Sequence, residues 1–179
     1  IGPQENWFNN NLFYRRPQIT NPIKWNKGFS SKYVFVNMAP YNDRVYSLPS
    51  PLTVLLLSDI KGYKSNEEAI ENIAEVLRQE AQYLCKVGAD RIQFDEPALV
   101  VKNSLCSLTD EDLLLLKRGL EICTDFKGAS TSLQTYFGTA KRIIPWLLSL
   151  PVDCIGIDCA EINLCDILQY DFRRKELAL

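Results

Sequence analysis

From residue 32 onward, short runs of β-branched and aromatic residues alternate with segments whose apolar residues recur at helical spacing. The runs that predict strands are residues 32–38, 44–49, 90–94, 130–137 and 153–160. Parallel neighbouring strands need a long connection, so this order predicts a parallel sheet with helical crossovers. Residues 1–31 show no clear period and predict irregular structure with one short strand.

The strongest helix prediction lies between Ser65 and Gly88. Ser65 with Glu68 predicts an N-terminal capping box, and Gly88 predicts the C-terminal stop. The apolar residues of this segment share one helical face; they are Ile70, Ile73, Ala74, Leu77, Ala81, Leu84 and Cys85. Such a face has to be buried, so we expect this helix to pack on the sheet.

Four further helical segments are predicted. A buried turn over residues 52–57 follows the prolines at 49 and 51, and Thr109 with three acids opens a helix that runs to about Cys123. A third segment covers residues 140–150 and is interrupted or bent by Pro145. A last helical pattern closes the chain from about Leu164.

The composition of the chain excludes several classes of functional site. Histidine is absent from the 179 residues, which removes His-based triads and His zinc ligands. A net charge of −2 gives no electrostatic argument for nucleic acid, and no apolar run reaches the roughly 18 residues of a membrane span. The six cysteines form no C-x-x-C pair. We interpret most of them as reduced thiols, which predicts a cytoplasmic protein.

Acidic side chains follow the strand over residues 90–94. The stretch IQFDEPAL places Asp95 and Glu96 directly after apolar Phe94, and Asp158 and Tyr136 end later strands. A buried unpaired charge costs several kcal/mol, so these acids are expected at an exposed strand end. In α/β barrels that rim is where ligand chemistry collects.

Five segments, in order along the chain, carry a resemblance to a known family. They are WFNNNLFYRRP (7–17), LPSPLTVLLLS (48–58), IQFDEPAL (92–99), LQTYFG (133–138) and LPVDCIGIDC (150–159). Together they resemble the N-terminal domain of cobalamin-independent methionine synthase. The resemblance implies an α/β fold, a partial (β/α)8 barrel of the methionine synthase/uroporphyrinogen decarboxylase-like kind. In that barrel residues 1–31 lead into an incomplete ring over residues 32–179, within a single domain.

The resemblance also implies a reaction, the transfer of a methyl group from a methylated folate, or another methyl donor, to homocysteine in methionine biosynthesis. The zinc that activates homocysteine is expected on a partner catalytic barrel, in the same or a separate chain. In this chain the family's zinc-binding His-x-Cys pair falls at about Thr131 and Leu133, and neither supplies the N or S ligands that zinc prefers. A closed barrel takes roughly 250 residues, so we expect a fragment that is not active alone.

Seven residues are predicted to bind substrate, and none is predicted to be catalytic or to ligate metal. By likeness, Asp95 holds an ammonium group or a pterin nitrogen, with Glu96 beside it; the structural alternative is that both acids only cap the rim. Trp7 and Tyr136 are candidates for stacking on a pterin ring, and Asp158 is a rim ligand.

A basic pair completes this predicted site. The family's lysine before the Trp is Asn6 here, and Arg15 and Arg16 are candidates to replace it at the folate's glutamate tail.

Two alternatives are weighed against this function. The first is a binding or scaffold module without turnover, derived from the same barrel. The second is a barrel glycosidase that uses Glu96 and Asp158 as its paired acids, since glycosidases need two carboxyl groups about 5–9.5 Å apart.

Overall fold

The computed structural model describes residues 1–9, 11–26, 44–101, 108–172 and 174–179. Within these ranges the strands are β1 (Gln4–Asn6), β2 (Phe13–Arg15), β3 (Gln18–Ile19), β4 (Val45–Pro49), β5 (Asp59–Ile60), β6 (Arg91–Asp95), β7 (Ser130–Gln134), β8 (Cys154–Gly156) and β9 (Glu176–Ala178). The α-helices in the same ranges are α1 (Pro51–Leu56), α2 (Asn66–Lys86), α3 (Asp110–Cys123), α4 (Ile144–Leu147) and α5 (Leu164–Leu168). The strand predicted over residues 32–38 lies outside the described residues.

In the described part of the chain, the main sheet has five parallel strands in the order β4-β6-β7-β8-β9. The predicted α/β class with helical crossovers is therefore confirmed. Two small sheets are also described: β1 pairs with β2 antiparallel, and β3 pairs with β5 in parallel. Among the described strands, β4 and β9 remain the two edges of the main sheet, so these strands form an arc.

One face of this sheet is apolar and the other is polar. Side chains alternate along a strand, so Ile92 and Phe94 of β6 share a face with Leu133 of β7, and all three are fully buried. This apolar face packs against the helices, with Leu116 of α3 and Ile70 of α2 in the same core. The hydrophobic core is thus confined to the helix side of the sheet.

An ion pair shows that the polar face is concave. Arg91 of β6 donates to the Glu176 carboxylate of β9 and also to Ser130 Oγ, at 3.1 Å. Two strands separate β6 from β9, which in a flat sheet would place these backbones roughly 14 Å apart. The two side chains meet because the sheet curves toward its polar face.

The two long helices begin at their predicted N-cap residues, but only the second has a complete capping box. Ser65 Oγ accepts the Glu68 N–H of α2 at 3.3 Å, but the Glu68 carboxylate accepts the N–H of Lys64 rather than that of Ser65. In α3, Thr109 and Asp112 form the complete reciprocal capping box. The predicted stop at Gly88 is confirmed by its φ of 98°, a conformation that favours glycine.

The structure corrects three predictions, one for the N-terminal segment and two for the part of the chain after residue 139. The segment predicted as irregular with one strand contains β1, β2 and β3. The third predicted helix is only α4, and Pro145 lies in its first turn, where its missing N–H costs nothing, instead of interrupting it. The closing helical pattern is limited to α5, after which β9 joins the sheet. No helix within the described ranges is long and apolar enough to cross a membrane.

Lys175 fastens β9 to the rest of the molecule. Its Nζ donates to the carbonyl oxygens of Leu150, at 2.6 Å, and Val152. We expect Lys175→Met to lower the free energy of unfolding by about 1–2 kcal/mol, because the aliphatic stem stays while two carbonyl groups lose a charged donor. Urea denaturation measures this. The exposed Lys127→Met is the control, and an equal loss in both variants would contradict the assignment.

Candidate functional site

The C-terminal ends of the parallel strands form the rim on which the predicted residues lie. The register aligns Pro49 of β4, Asp95 of β6 and Gln134 of β7, and Gln134 pairs with Gly156 of β8. The backbone continues this order beyond the strands, since the N–H of Ser50 donates to the Asp95 carbonyl at 3.0 Å. Residues that follow these strand ends are therefore neighbours.

Asp95 faces the concave side of the sheet. Its Oδ2 accepts a hydrogen bond from Ser47 Oγ, and its Oδ1 accepts one from Gln93 Nε2 at 2.8 Å. The residue is partly exposed. Each carboxylate oxygen has two lone pairs, so this group can still accept hydrogen bonds from a ligand.

Glu96 points the opposite way and is fully buried. Its carboxylate accepts four hydrogen bonds: from the hydroxyl of Ser50, from the N–H (3.2 Å) and hydroxyl (2.8 Å) of Thr53, and from the N–H of Ala98 (3.1 Å). Burial raises the pKa of Glu96 to about 7 in spite of these donors. Within the protein, Glu96 acts as the cap of the first turn of α1 and of the following 3-10 turn, Pro97–Leu99.

Two hydroxyls at the start of α1, those of Ser50 and Thr53, both bind Glu96. Ser50 is the N-cap residue of α1, but its hydroxyl donates to the Glu96 carboxylate and makes no hydrogen bond within the helix. The carboxylate that caps α1 comes from a residue 46 positions along the chain from Ser50.

The burial of Glu96 also rules out the glycosidase alternative. A sugar has no access to the buried Glu96 carboxylate, so Glu96 cannot act as one of the paired acids.

Four aromatic rings cluster at the same rim. Trp7 lies nearly parallel to Tyr136, with 6.3 Å between ring centroids, and meets Phe8 and Phe137 edge-on at 4.8 and 5.9 Å. Burial, and secondly the carboxylates of Asp95 and Glu96, raise the pKa of Tyr136 to about 12. Tyr136 therefore stays a neutral hydroxyl next to the acids, while Phe137 remains 55% exposed.

Asp158 holds the loop that carries Phe137. Its Oδ2 accepts the N–H of Phe137 at 3.0 Å, and its Oδ1 accepts the N–H of Ala160 at 3.1 Å. Phe137 has a φ of 65°, a strained value for a side chain of this size. Strain of this kind persists only where neighbouring contacts enforce it, and it clusters at functional sites.

Comparison with protein families identifies the family of this chain. The family model described as the N-terminal domain of cobalamin-independent synthase matches residues 3–179. The chain belongs to this family. It is similar to two proteins named 5-methyltetrahydropteroyltriglutamate–homocysteine methyltransferase. The one from Streptococcus thermophilus is 31% identical over 167 residues, and the one from Streptococcus suis is 31% identical over 163 residues.

These family members are much longer than this chain. The aligned region covers 89% of this chain but only 21% of each of the two relatives. A solved structure, a B12-independent methionine synthase from Shewanella sp. W3-18-1 in complex with selenomethionine, superimposes with a TM-score of 0.60 at 22% identity. That superposition covers 83% of this chain and 45% of the other, and it shows that the two share the fold.

The side chains at Thr131 and Leu133, where the family's zinc-binding pair would fall, do not fit a zinc site. Thr131 binds the carboxylate of Asp153 through its N–H and hydroxyl, and Leu133 is fully buried in the core. In the described part of the chain, no three acids or cysteines lie close enough together to hold a metal ion. Cys154 is buried, while Cys159 and Cys165 are exposed.

The two arginines predicted at the folate tail have different environments. Arg16 binds the Glu5 carboxylate at 3.0 Å and the carbonyl oxygens of Leu56 and Ser58 at 3.2 and 3.1 Å. These contacts anchor β2 to the end of α1. Arg15, the last residue of β2, is exposed.

The structure thus brings together most, but not all, of the residues singled out in the sequence. One contact network around Phe137 joins Trp7, Tyr136 and Asp158. The negative charge of Asp95 contributes to the raised pKa of Tyr136. Glu96 lies behind this network, in the protein interior. Sequence analysis did not single out Phe137, although its position directly after Tyr136 in the LQTYFG segment was a usable signal.

Proposed function

We propose that this chain is the N-terminal-type barrel of a cobalamin-independent methionine synthase. Its reaction is the transfer of a methyl group from a methylated folate, or another methyl donor, to homocysteine. Membership of the family supports this proposal, as do the names of the two relatives, which are homocysteine methyltransferases. Residues 1–31 then lead into an incomplete barrel over residues 32–179, all within one domain.

The observation that carries the proposal is the composition of the rim. A partly exposed carboxylate, Asp95, lies at the same rim as an aromatic cluster built on Trp7 and Tyr136. A pterin is a flat ring with several N–H donors, so it fits a site with aromatic faces and a hydrogen-bond acceptor. Asp95 is proposed to accept those donors, and the aromatic rings are proposed to contact the ring face.

Further assignments are proposed for the other predicted residues. Asp158 acts through the Phe137 loop that it holds. Arg15 is the better placed arginine for an anionic folate tail, because the guanidinium of Arg16 already binds Glu5 and two carbonyl groups. Glu96 contributes from the interior, without contact to a ligand.

A partner barrel, in the same or a separate chain, is proposed to hold the zinc. Zinc bound there would favour the thiolate form of the homocysteine thiol and so supply the nucleophile for methyl transfer. This chain's residues would bind and orient the methyl donor, and the chain would be inactive alone. The five described cysteines are free thiols, which supports a reducing, cytoplasmic location.

Calorimetry with 5-methyltetrahydrofolate tests the binding role. We expect the chain to bind it and Asp95→Asn to raise the dissociation constant about tenfold, because a charged acceptor contributes roughly 1.5–3 kcal/mol to a hydrogen bond. The matched control is Asp125→Asn, an exposed acid in the segment before β7, at the opposite end of that strand from the rim.

The scaffold alternative predicts a different result in the same experiment. A module without a ligand site would bind neither 5-methyltetrahydrofolate nor homocysteine. A second assay follows methionine formation with and without the zinc-bearing barrel. Full activity of this chain alone, after removal of zinc, would refute the division of roles.

A further inference from the structure

We propose that Glu96 is a positioning residue whose protonation state sets the arrangement of the aromatic rim. The carboxyl group touches no ligand. It acts through the loop that precedes α1 and through the end of β7, which leads into Tyr136 and Phe137.

The contacts of Glu96 connect three strand ends. Its N–H donates to the carbonyl of Gln134, the last residue of β7, at 2.9 Å. Its side chain binds Ser50 and Thr53, which follow β4, and the N–H of Ala98, which follows β6. A change in this one carboxyl group therefore reaches the ends of β4, β6 and β7.

Protonation changes these hydrogen bonds in a definite way. Each carboxylate oxygen accepts one N–H donor and one hydroxyl donor, from Thr53 and Ser50 on Oε2 and from Ala98 and Thr53 on Oε1. An N–H cannot reverse, but a hydroxyl can. The proton of a neutral carboxyl group is accommodated only if a hydroxyl turns and becomes an acceptor, which alters the contacts at the start of α1.

Among the residues that the structure describes, few charged groups lie near Glu96. Neither α1, with the sequence PLTVLL, nor the turn Pro97–Leu99 contributes an ionisable side chain. From β6 the neighbouring charge is Asp95, and beyond β7 the titratable group is Tyr136, whose pKa is raised in part by the charge of Glu96. The Tyr136 hydroxyl stays neutral well above pH 7, so Glu96 is the group that titrates near neutrality.

A short series of contacts connects Glu96 to the exposed ring of Phe137. Gln134 accepts the N–H of Glu96 and stands two residues before Tyr136. Tyr136 meets Phe137 edge-on at 5.1 Å between ring centroids, and Asp158 holds the Phe137 N–H. The strained φ of Phe137 makes this loop sensitive to small shifts at its start.

Amide NMR on the ligand-free chain tests the inference separately from any folate binding. We expect the amide resonances of Thr53 and Ala98 to titrate with a midpoint of about 7. The amides of Tyr136 and Phe137 should titrate with the same midpoint. Glu96→Gln should abolish all four transitions, whereas the exposed Glu121→Gln should change none of them.

A second variant covers the case in which Glu96→Gln does not fold. Ser50→Ala removes one donor to the ionised carboxylate, so the shared midpoint should move upward for all four amides. A purely structural Glu96 would show titration at Thr53 and Ala98 without any at Tyr136 and Phe137, and that outcome overturns the inference. Rim transitions that persist in Glu96→Gln, or the absence of any transition near Glu96, overturn it as well.

Discussion

Between pH 4.5 and pH 7, the wild-type chain is expected to lose on the order of 3 kcal/mol of unfolding free energy relative to Glu96→Gln. Burial raises the pKa of Glu96 from 4.5 to about 7, so in this window the folded state retains a proton that the unfolded state has released. The stabilisation is therefore complete below pH 4.5, is lost as the pH rises to about 7, and stays constant above that. Urea denaturation at several pH values measures it.

Comparison with the variant isolates this one carboxyl group. Other acids titrate over the same range in both proteins and cancel in the difference. Glu96→Gln itself costs stability at every pH, because its amide nitrogen cannot accept the N–H bond that one carboxylate oxygen accepts now. The exposed Glu121→Gln should run parallel to the wild type. A constant gap between wild type and Glu96→Gln would mean that Glu96 is not buried as a neutral acid.

Gly138→Ala is expected to destabilise the chain by about 3 kcal/mol or more. A Cβ at this position would lie 1.7 Å from the Val100 carbonyl oxygen and 2.5 Å from its carbon. Both atoms belong to the backbone, so relief requires the rim loop and the turn after β6 to separate. Chemical denaturation measures the loss, and near-ultraviolet circular dichroism reports the aromatic cluster.

The matched control is Gly156→Ala on β8. Its Cβ would lie 1.9 Å from Gln134 Oε1, which is the end of a flexible side chain that can rotate away. We expect a loss below about 1.5 kcal/mol there. Equal losses in the two variants would show that the tight approach of Gly138 to the turn does not hold the rim together.

The candidate site could be predicted only in part. Asp95, Asp158 and Tyr136 follow strands, so the rule that parallel strands end at one rim was sufficient to place them near one another. Trp7 joins them from an N-terminal segment that has no periodicity, and the family resemblance was the signal for it. The separate environment of Glu96 was not predicted, because adjacent residues in a sequence give no indication of which one meets a helix from another part of the chain.

The sequence by itself determined the local elements of this protein and their order. Helices α2 and α3 and the strand β6 between them follow from side-chain period and capping residues, which act within a few positions of one another. Tertiary structure alone decided three features: the addition of β9, the curvature that joins Arg91 to Glu176, and the capping of α1 by Glu96. Each depends on atoms brought together from distant positions, and local propensity carries no information about such contacts.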